Sequence, residues 1–248
     1  SLCFKKTSRA SVYWYAIVYY LKFDFTFNRL SIITSLPYTI RLSYFLNMLL
    51  KIKNLDCRRG NKLIIANVSF NLKSGECLIL KGPNGSGKTT LLRYIAGLST
   101  NNLLNDNIAY SGHLDGVKST LTVQENLKFW SGIYNTNNMA NVIKTLKLND
   151  FQNRIAGELS AGQKRRLGLA RMLITNAKIW LMDEPTVSLD KTTTTLISEI
   201  ITQHCKEGGA AIISTHINLN LPSSKVLDIS EFKPEIDKEF DPFLEGVF

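Results

Sequence analysis

Apolar and polar positions first alternate regularly at Leu49-Leu50-Lys51-Ile52-Lys53-Asn54-Leu55, just after Met48, and again through Val68, Phe70 and Leu72, so each stretch is predicted to be a strand. Arg58-Arg59-Gly60-Asn61 and Lys73-Ser74-Gly75-Glu76 read as turns, and the two strands predict an antiparallel sheet that carries the next one, the short apolar run Cys77-Leu78-Ile79-Leu80. Beyond it the period changes to that of a helix. Leu91, Leu92 and Ile95 share one face until Gly97, and a polar connector follows over 99–106. Thr122 and Glu125 form a capping-box pair opening a helix with Leu127, Trp130 and Ile133 on its core side; a second helix carries Val142, Ile143 and Leu146. Ser160 and Gln163 make a second capping-box pair, ahead of Leu167, Ala170, Met172, Leu173 and Ile174. Lys178-Ile179-Trp180-Leu181-Met182 and Ala210-Ala211-Ile212-Ile213-Ser214-Thr215 read as buried strands, with a helix between them marked by Leu196, Ile197, Ile200 and Ile201. The alternation of strands and helices predicts an α/β fold over 48–227, with a helical insert at about 120–175 and a tail of few periodic positions over 228–248.

Residues 1–47 lack this patterning. They are rich in Tyr, Phe, Ser and Leu, hold six basic residues against the single acid Asp24, and show no helical or strand period. The expectation is that the folded unit starts at Met48 and that 1–47 is an extension outside it, either a translated upstream stretch or a removed targeting peptide.

The chemistry centres on Gly82-Pro83-Asn84-Gly85-Ser86-Gly87-Lys88-Thr89-Thr90, which satisfies G-x-x-x-x-G-K-[ST] between a strand and a helix. Glycines allow a tight loop whose N–H groups converge on phosphate oxygens, and the helix that follows presents its positive end at the same point. Lys88 is then placed for the β- and γ-phosphates and the Thr89 hydroxyl for Mg²⁺, which marks a P-loop nucleoside triphosphate site. The strand at 178–182 delivers Asp183 and Glu184 at its end, the first suited to Mg²⁺ and the second to deprotonating an attacking water. His216 follows the strand at 210–215, at the carboxyl edge where ligands of open α/β sheets bind, and is a candidate γ-phosphate contact. The helix opening at Ser160-Ala161-Gly162-Gln163 supplies a second anion-binding terminus.

Composition changes this picture little. The net charge of +10 raises a nucleic-acid partner, but the basic body gives way to seven acids and three lysines from Lys225 onward, and no basic–aromatic interleaving appears. Cys3, Cys57, Cys77 and Cys205 show no metal-ligand or C-x-x-C spacing, which points to a reducing compartment. No apolar run reaches the roughly 18 residues that span a bilayer.

Together, residues 82–90, Leu159-Ser160-Ala161-Gly162-Gln163, Asp183-Glu184, Ser188-Leu189-Asp190 and His216 resemble the nucleotide-binding domain of ATP-binding cassette (ABC) proteins, in the same order. Simple P-loop kinases and GTPases lack the L-S-G-G-Q signature that 159–163 matches but for Ala161. The resemblance implies a mixed sheet flanked by helices, an antiparallel β subdomain and a small helical subdomain. It also implies ATP and Mg²⁺ as ligands and a head-to-tail homodimer in which each ATP lies between one copy's phosphate loop and the other's Ser160, Gly162 and Gln163, with Asp190 coupling the two sites. Two departures narrow the match: arginine at Arg58-Arg59 where an aromatic residue stacks on adenine, and His113 where a glutamine is usual. With L-S-A-G-Q-K-R-R, these resemble the ATPase subunits of cytochrome c maturation systems, whereas Leu114-Asp115 departs from the Gln-Pro expected there. That resemblance implies a haem-exporting complex with a CcmB-like integral membrane subunit. It places the chain peripherally on the cytoplasmic face of a bacterial inner membrane or the matrix face of the mitochondrial one. The alternatives are the ATPase of another exporter, a soluble ABC protein acting on nucleic acid, which usually has two cassettes or a long coiled-coil insert, and a non-hydrolysing regulator, against which Lys88, Glu184 and His216 argue.

Overall fold

A computed structural model describes residues 47–99, 107–112, 115–187 and 189–234; the expected extension up to residue 46, His113, Ser188 and the acidic end from 235 lie outside the described residues. The chain opens with a long antiparallel hairpin, β1 (Met48–Arg59) and β2 (Lys62–Lys73), joined at Gly60, whose φ of +60° suits a residue without a side chain. A five-stranded sheet follows, built from β3 (Cys77–Lys81), β4 (Ile108–Ser111), β5 (Ile179–Asp183), β6 (Ala210–Ser214) and β7 (Ser224–Asp228) in the order β4-β5-β6-β3-β7.

Two expectations about the sheets are corrected. Every described pairing in the five-stranded sheet is parallel, so this sheet is not mixed, and β3 belongs to it between β6 and β7 rather than to the antiparallel pair. The reason lies in burial. The first four residues of β3 and all five of β5 and β6 are buried, as for strands covered on both faces, whereas β1 and β2 bury single positions such as Cys57, Ile65, Val68 and Leu72.

Alternation along the central strands separates two apolar layers. Cys77 and Ile79, Trp180 and Met182, and Ala211 and Ile213 pack with the helices between β4 and β5 and with the helix before β6. Leu78 and Leu80, Ile179 and Leu181, and Ala210 and Ile212 face the hairpin and the first helix. The helices are α1 (Lys88–Ile95), α2 (Val123–Tyr134), α3 (Met139–Thr145), α4 (Ala161–Ile174) and α5 (Lys191–Lys206). Both capping boxes read from the sequence are formed in full, at Thr122 with Glu125 and at Ser160 with Gln163. Sequence periodicity did not announce β7, whose first three residues are exposed and which among the described residues pairs only with β3; a 3₁₀ turn after it, Ile229–Phe232, buries Ile229 completely in the hairpin-side layer. Among the described residues no helix is long and apolar enough to cross a membrane.

The α2 helix separates capping from packing energetics. Leu127→Ala, at a fully buried position, is expected to cost about 2–5 kcal/mol, and Thr122→Ala, at the cap, about 0.5–2 kcal/mol. Urea unfolding of the two variants beside the parent chain measures both; equal losses would refute the assignment of α2's stability mainly to its buried face.

Candidate functional site

The parallel register brings the carboxyl ends of β3, β5 and β6 side by side, and the candidate residues stand at those ends. From Lys81 the chain enters the glycine loop, where Gly82, Gly85 and Gly87 all have positive φ. Gly87, at φ +104°, also lies so near β2 that a Cβ there would come within 2.7 Å of Ile65 Cδ1, so the hairpin dictates glycine as much as the turn does. Gly87 caps α1 without a side-chain hydrogen bond, which leaves the first-turn N–H groups of Lys88, Thr89 and Thr90 directed at the loop. Ser86 Oγ, buried in the loop, has no hydrogen-bond partner among the described residues. Lys88 is buried, and its ammonium donates to the carbonyls of Gly82 (2.8 Å) and Pro83 (3.1 Å).

One carboxylate links three of these elements. Thr89 Oγ1 donates to Asp183 Oδ2 at 2.8 Å, and Ser214 Oγ donates to Asp183 Oδ1 at 2.5 Å, with Asp183 buried. The two residues expected to hold a metal are therefore in direct contact. A hydroxyl and a carboxylate beside a phosphate-binding loop fit Mg²⁺, which favours hard oxygen ligands and takes only one or two from protein when phosphates supply others.

The next residue is Glu184, in the left-handed region at φ +50°. Its N–H donates to Ser214 O at 3.0 Å and to Ser214 Oγ at 3.2 Å, which anchors it to β6. His216 Nε2 lies 3.4 Å from Glu184 Oε1 and 3.1 Å from Asn84 Oδ1. A carboxylate, an imidazole and a loop amide thus converge beside the glycine loop, an arrangement suited to orienting and deprotonating a water near a terminal phosphate.

The signature residues lie elsewhere. Ser160 and Gln163 hydrogen-bond each other at the α4 N-terminus, and a Cβ on Gly162 would meet Thr193 Oγ1 of α5 at 3.5 Å. Asp190 caps α5 by accepting from Thr193 N at 2.9 Å, and the bonds to Thr193 hold its carboxyl below the usual aspartate value. The second anion-binding helix end therefore faces the α5 cap. Of the residues put forward from the sequence, the structure gathers the glycine loop, Asp183, Glu184 and His216, while Ser160 and Gln163 bond each other and Asp190 bonds Thr193 at the starts of α4 and α5.

Sequence reasoning missed two contributors. Arg165, within the run Lys164-Arg165-Arg166, reads as a solvated charge but is buried, with its guanidinium bonded to Pro185 O (3.0 Å), Glu184 O (3.0 Å) and Asp115 Oδ1 (2.7 Å). Spacing carried a signal: Arg165, Gly168 and Arg171 recur every three residues and lie against β4 and the segment after it. Tyr94 of α1 was also overlooked; its hydroxyl accepts from Arg58 N and donates to Arg58 O, pinning the hairpin tip to the phosphate-loop helix. Beside Arg58, burial foremost and then Asp56 push the Cys57 thiol up to about 12, so it stays neutral.

Comparison with known proteins adds independent findings. A family profile described as ABC transporter matches residues 65–187. The cytochrome c biogenesis ATP-binding export protein CcmA of Cereibacter sphaeroides is 46% identical over 198 residues, spanning 78% of this chain and 94% of that protein. The protein of the same name from Rhodobacter capsulatus is 44% identical over 211 residues, spanning 81% of this chain and 99% of its own length. Among solved structures, an ABC transporter ATP-binding protein from Pyrococcus furiosus superposes with a TM-score of 0.65 at 25% identity, covering 74% of this chain and 98% of that one.

The double grip on Asp183 is open to measurement. Ser214→Ala removes one donor to a buried carboxylate and one acceptor of Glu184 N, and is expected to cost about 1–3 kcal/mol of stability. Thr89→Ser keeps its hydroxyl and is expected to unfold like the parent chain in the same denaturant titration.

Proposed function

This chain belongs to the ABC transporter ATP-binding proteins, in the group of the cytochrome c biogenesis ATP-binding export proteins, and from that premise we propose that it is the ATP-hydrolysing subunit of an export complex serving c-type cytochrome biogenesis. The observation that carries this reading is the near-complete span of relatives bearing that name, matched by a chain whose glycine loop, Asp183, Glu184 and His216 stand together.

The loop amides and the α1 N-terminus bind the ATP phosphates, and Lys88 exchanges its two loop carbonyls for β- and γ-phosphate oxygens. Thr89 and Asp183 would hold Mg²⁺, which neutralises charge developing on the phosphates. Glu184 takes the proton of the attacking water, and His216, bridging Asn84 and Glu184, orients the γ-phosphate against it.

The capped α4 N-terminus at Ser160, Gly162 and Gln163 is a second anion-binding helix end, which supports a head-to-tail homodimer in which a second copy brings that end to the far side of the bound triphosphate. ATP closes that dimer and hydrolysis reopens it, which drives a membrane-embedded, CcmB-like partner that exports haem. Such a subunit works at the membrane surface, on the cytoplasmic side in bacteria or the matrix side in mitochondria. His113 marks the same subgroup.

Two variants, assayed in detergent-solubilised membranes with the bound partner identified by mass spectrometry, test the reading. Lys88→Ala is expected to abolish nucleotide binding or turnover. Glu184→Gln is expected to keep binding, lower turnover by about 10²–10⁴-fold and accumulate an ATP-loaded dimer. Unchanged phosphate release by Glu184→Gln would remove the base assignment, and co-purification with an unrelated membrane subunit would redirect the function to another exporter.

A further inference from the structure

Arg165 is a buried cation that the ATPase chemistry described above does not use. Its guanidinium spreads its donors over three consecutive carbonyls at the end of β5: Asp183 O at 3.4 Å, Glu184 O at 3.0 Å and Pro185 O at 3.0 Å. Its remaining contacts go to the segment after β4, to Gly112 O at 3.3 Å and Asp115 Oδ1 at 2.7 Å. Only a planar fork of fixed donors reaches so many acceptors from one side chain.

The consequence falls on Glu184. Its backbone sits at φ +50°, where a side chain other than glycine's is held only by its surroundings. Ser214 secures its N–H from the β6 side, and Arg165 secures its C=O from the α4 side. The direction of the Glu184 carboxylate, and so its 3.4 Å approach to His216, depends on both anchors. Arg165 in turn is held in place by Asp115, which packs so close to α4 that a Cβ on Gly168 would lie 2.8 Å from Asp115 O. Nearly two turns further along α4, Arg171 donates to Tyr110 O of β4 at 2.6 Å, so α4 is bonded both to β4 and to the segment that follows it.

We infer that Arg165, locked by Asp115, is a positioning residue that aims the Glu184 carboxylate and ties that aim to the signature helix five residues beyond Ser160. The Asp115 that departs from the expected Gln-Pro is then the counter-ion of this clamp. The inference rests on the ATPase reading with Glu184 as base.

The test measures phosphate release and mant-ATP binding by the full chain in its membrane complex, for the parent, Arg165→Lys, Asp115→Asn and Glu184→Gln, and for each clamp variant combined with Glu184→Gln. Arg165→Lys keeps the charge and loses the fork. It is expected to lower kcat by about 10²-fold while KM for ATP and mant-ATP affinity stay within about twofold, and to add no further loss in the Glu184→Gln background, because its effect passes through that side chain. Asp115→Asn is expected to show the same pattern more weakly, and stands in should Arg165→Lys fold poorly. Losses that multiply with Glu184→Gln, or that appear equally in nucleotide affinity, would make the clamp merely structural and overturn the inference, as would unchanged kcat in both clamp variants. A parent complex that releases no phosphate overturns the ATPase reading and this inference with it; an active parent with indifferent variants overturns this inference alone.

Discussion

The Asp183 carboxylate is the interaction on which the candidate site depends. It accepts from Thr89 on the phosphate-loop helix and from Ser214 at the end of β6, so the glycine loop, β5 and β6 are joined at one buried point. A charge taken out of water is tolerated only when hydrogen-bonded, and here both oxygens are engaged. The parallel register makes this possible: Asp183 lies beside Ser214, which lies beside Leu80 of β3, so three strand ends reach the same level and the loop that follows β3 closes over them. The burial of β3, β5 and β6 on both faces is therefore a functional constraint, since a strand with one wet face would sit at the sheet's edge and carry its terminal residues away from the cluster.

Legibility in the sequence follows from how local each determinant is. The glycine loop, the Asp183-Glu184 pair and both capping boxes are set by residues within a few positions of each other, and each was read from the chain directly. The antiparallel pair of β1 and β2 was read correctly, but β3 was placed with it and the main sheet taken as mixed, because a strand's partners are chosen by burial, and burial on two faces appears only once the hairpin and the helices are in place. β7 was invisible for a related reason: Ser224, Lys225 and Val226 are exposed, and its strand state is imposed by backbone pairing with β3. Arg165 was the hardest to foresee. A basic residue between two others on a helix is most often solvated, and its burial becomes evident only when carbonyls from β5 and a carboxylate after β4 meet around it.

The left-handed Glu184 shows how fold and chemistry constrain each other. A non-glycine residue in that region costs of order 1–3 kcal/mol, and the chain accepts it directly after a strand whose side chains alternate between two cores. Trp180 and Met182 point to the helical side, so Asp183 falls on the side of the phosphate-loop helix and its Thr89. Keeping Glu184 at the strand end, facing His216, requires the backbone to turn at once, and the left-handed conformation makes that turn. Ser214 and Arg165 then hold it with hydrogen bonds on both sides of the residue.

The helical insert bears on how such a site can move. Val123, Leu127, Val142, Ile143 and Leu146 belong to the same buried layer as Trp180, Met182 and Ile213 of the sheet, so α2 and α3 are not a separate body hung on a linker. Opening a cleft there would return apolar surface to water at roughly 25 cal/mol per Å², which favours small shearing displacements over a wide swing. The α4 helix spans both regimes, with Leu167, Ala170 and Ile174 in the apolar layer, Arg165 bonded to the segment after β4 and Arg171 to β4 itself. Polar bonds of this kind can exchange partners over short distances while the apolar side of the helix stays packed. A shift of α4 is thus passed through Arg165 to the carbonyl of Glu184, so the helix that opens at Ser160 is bonded directly to the backbone at the end of β5.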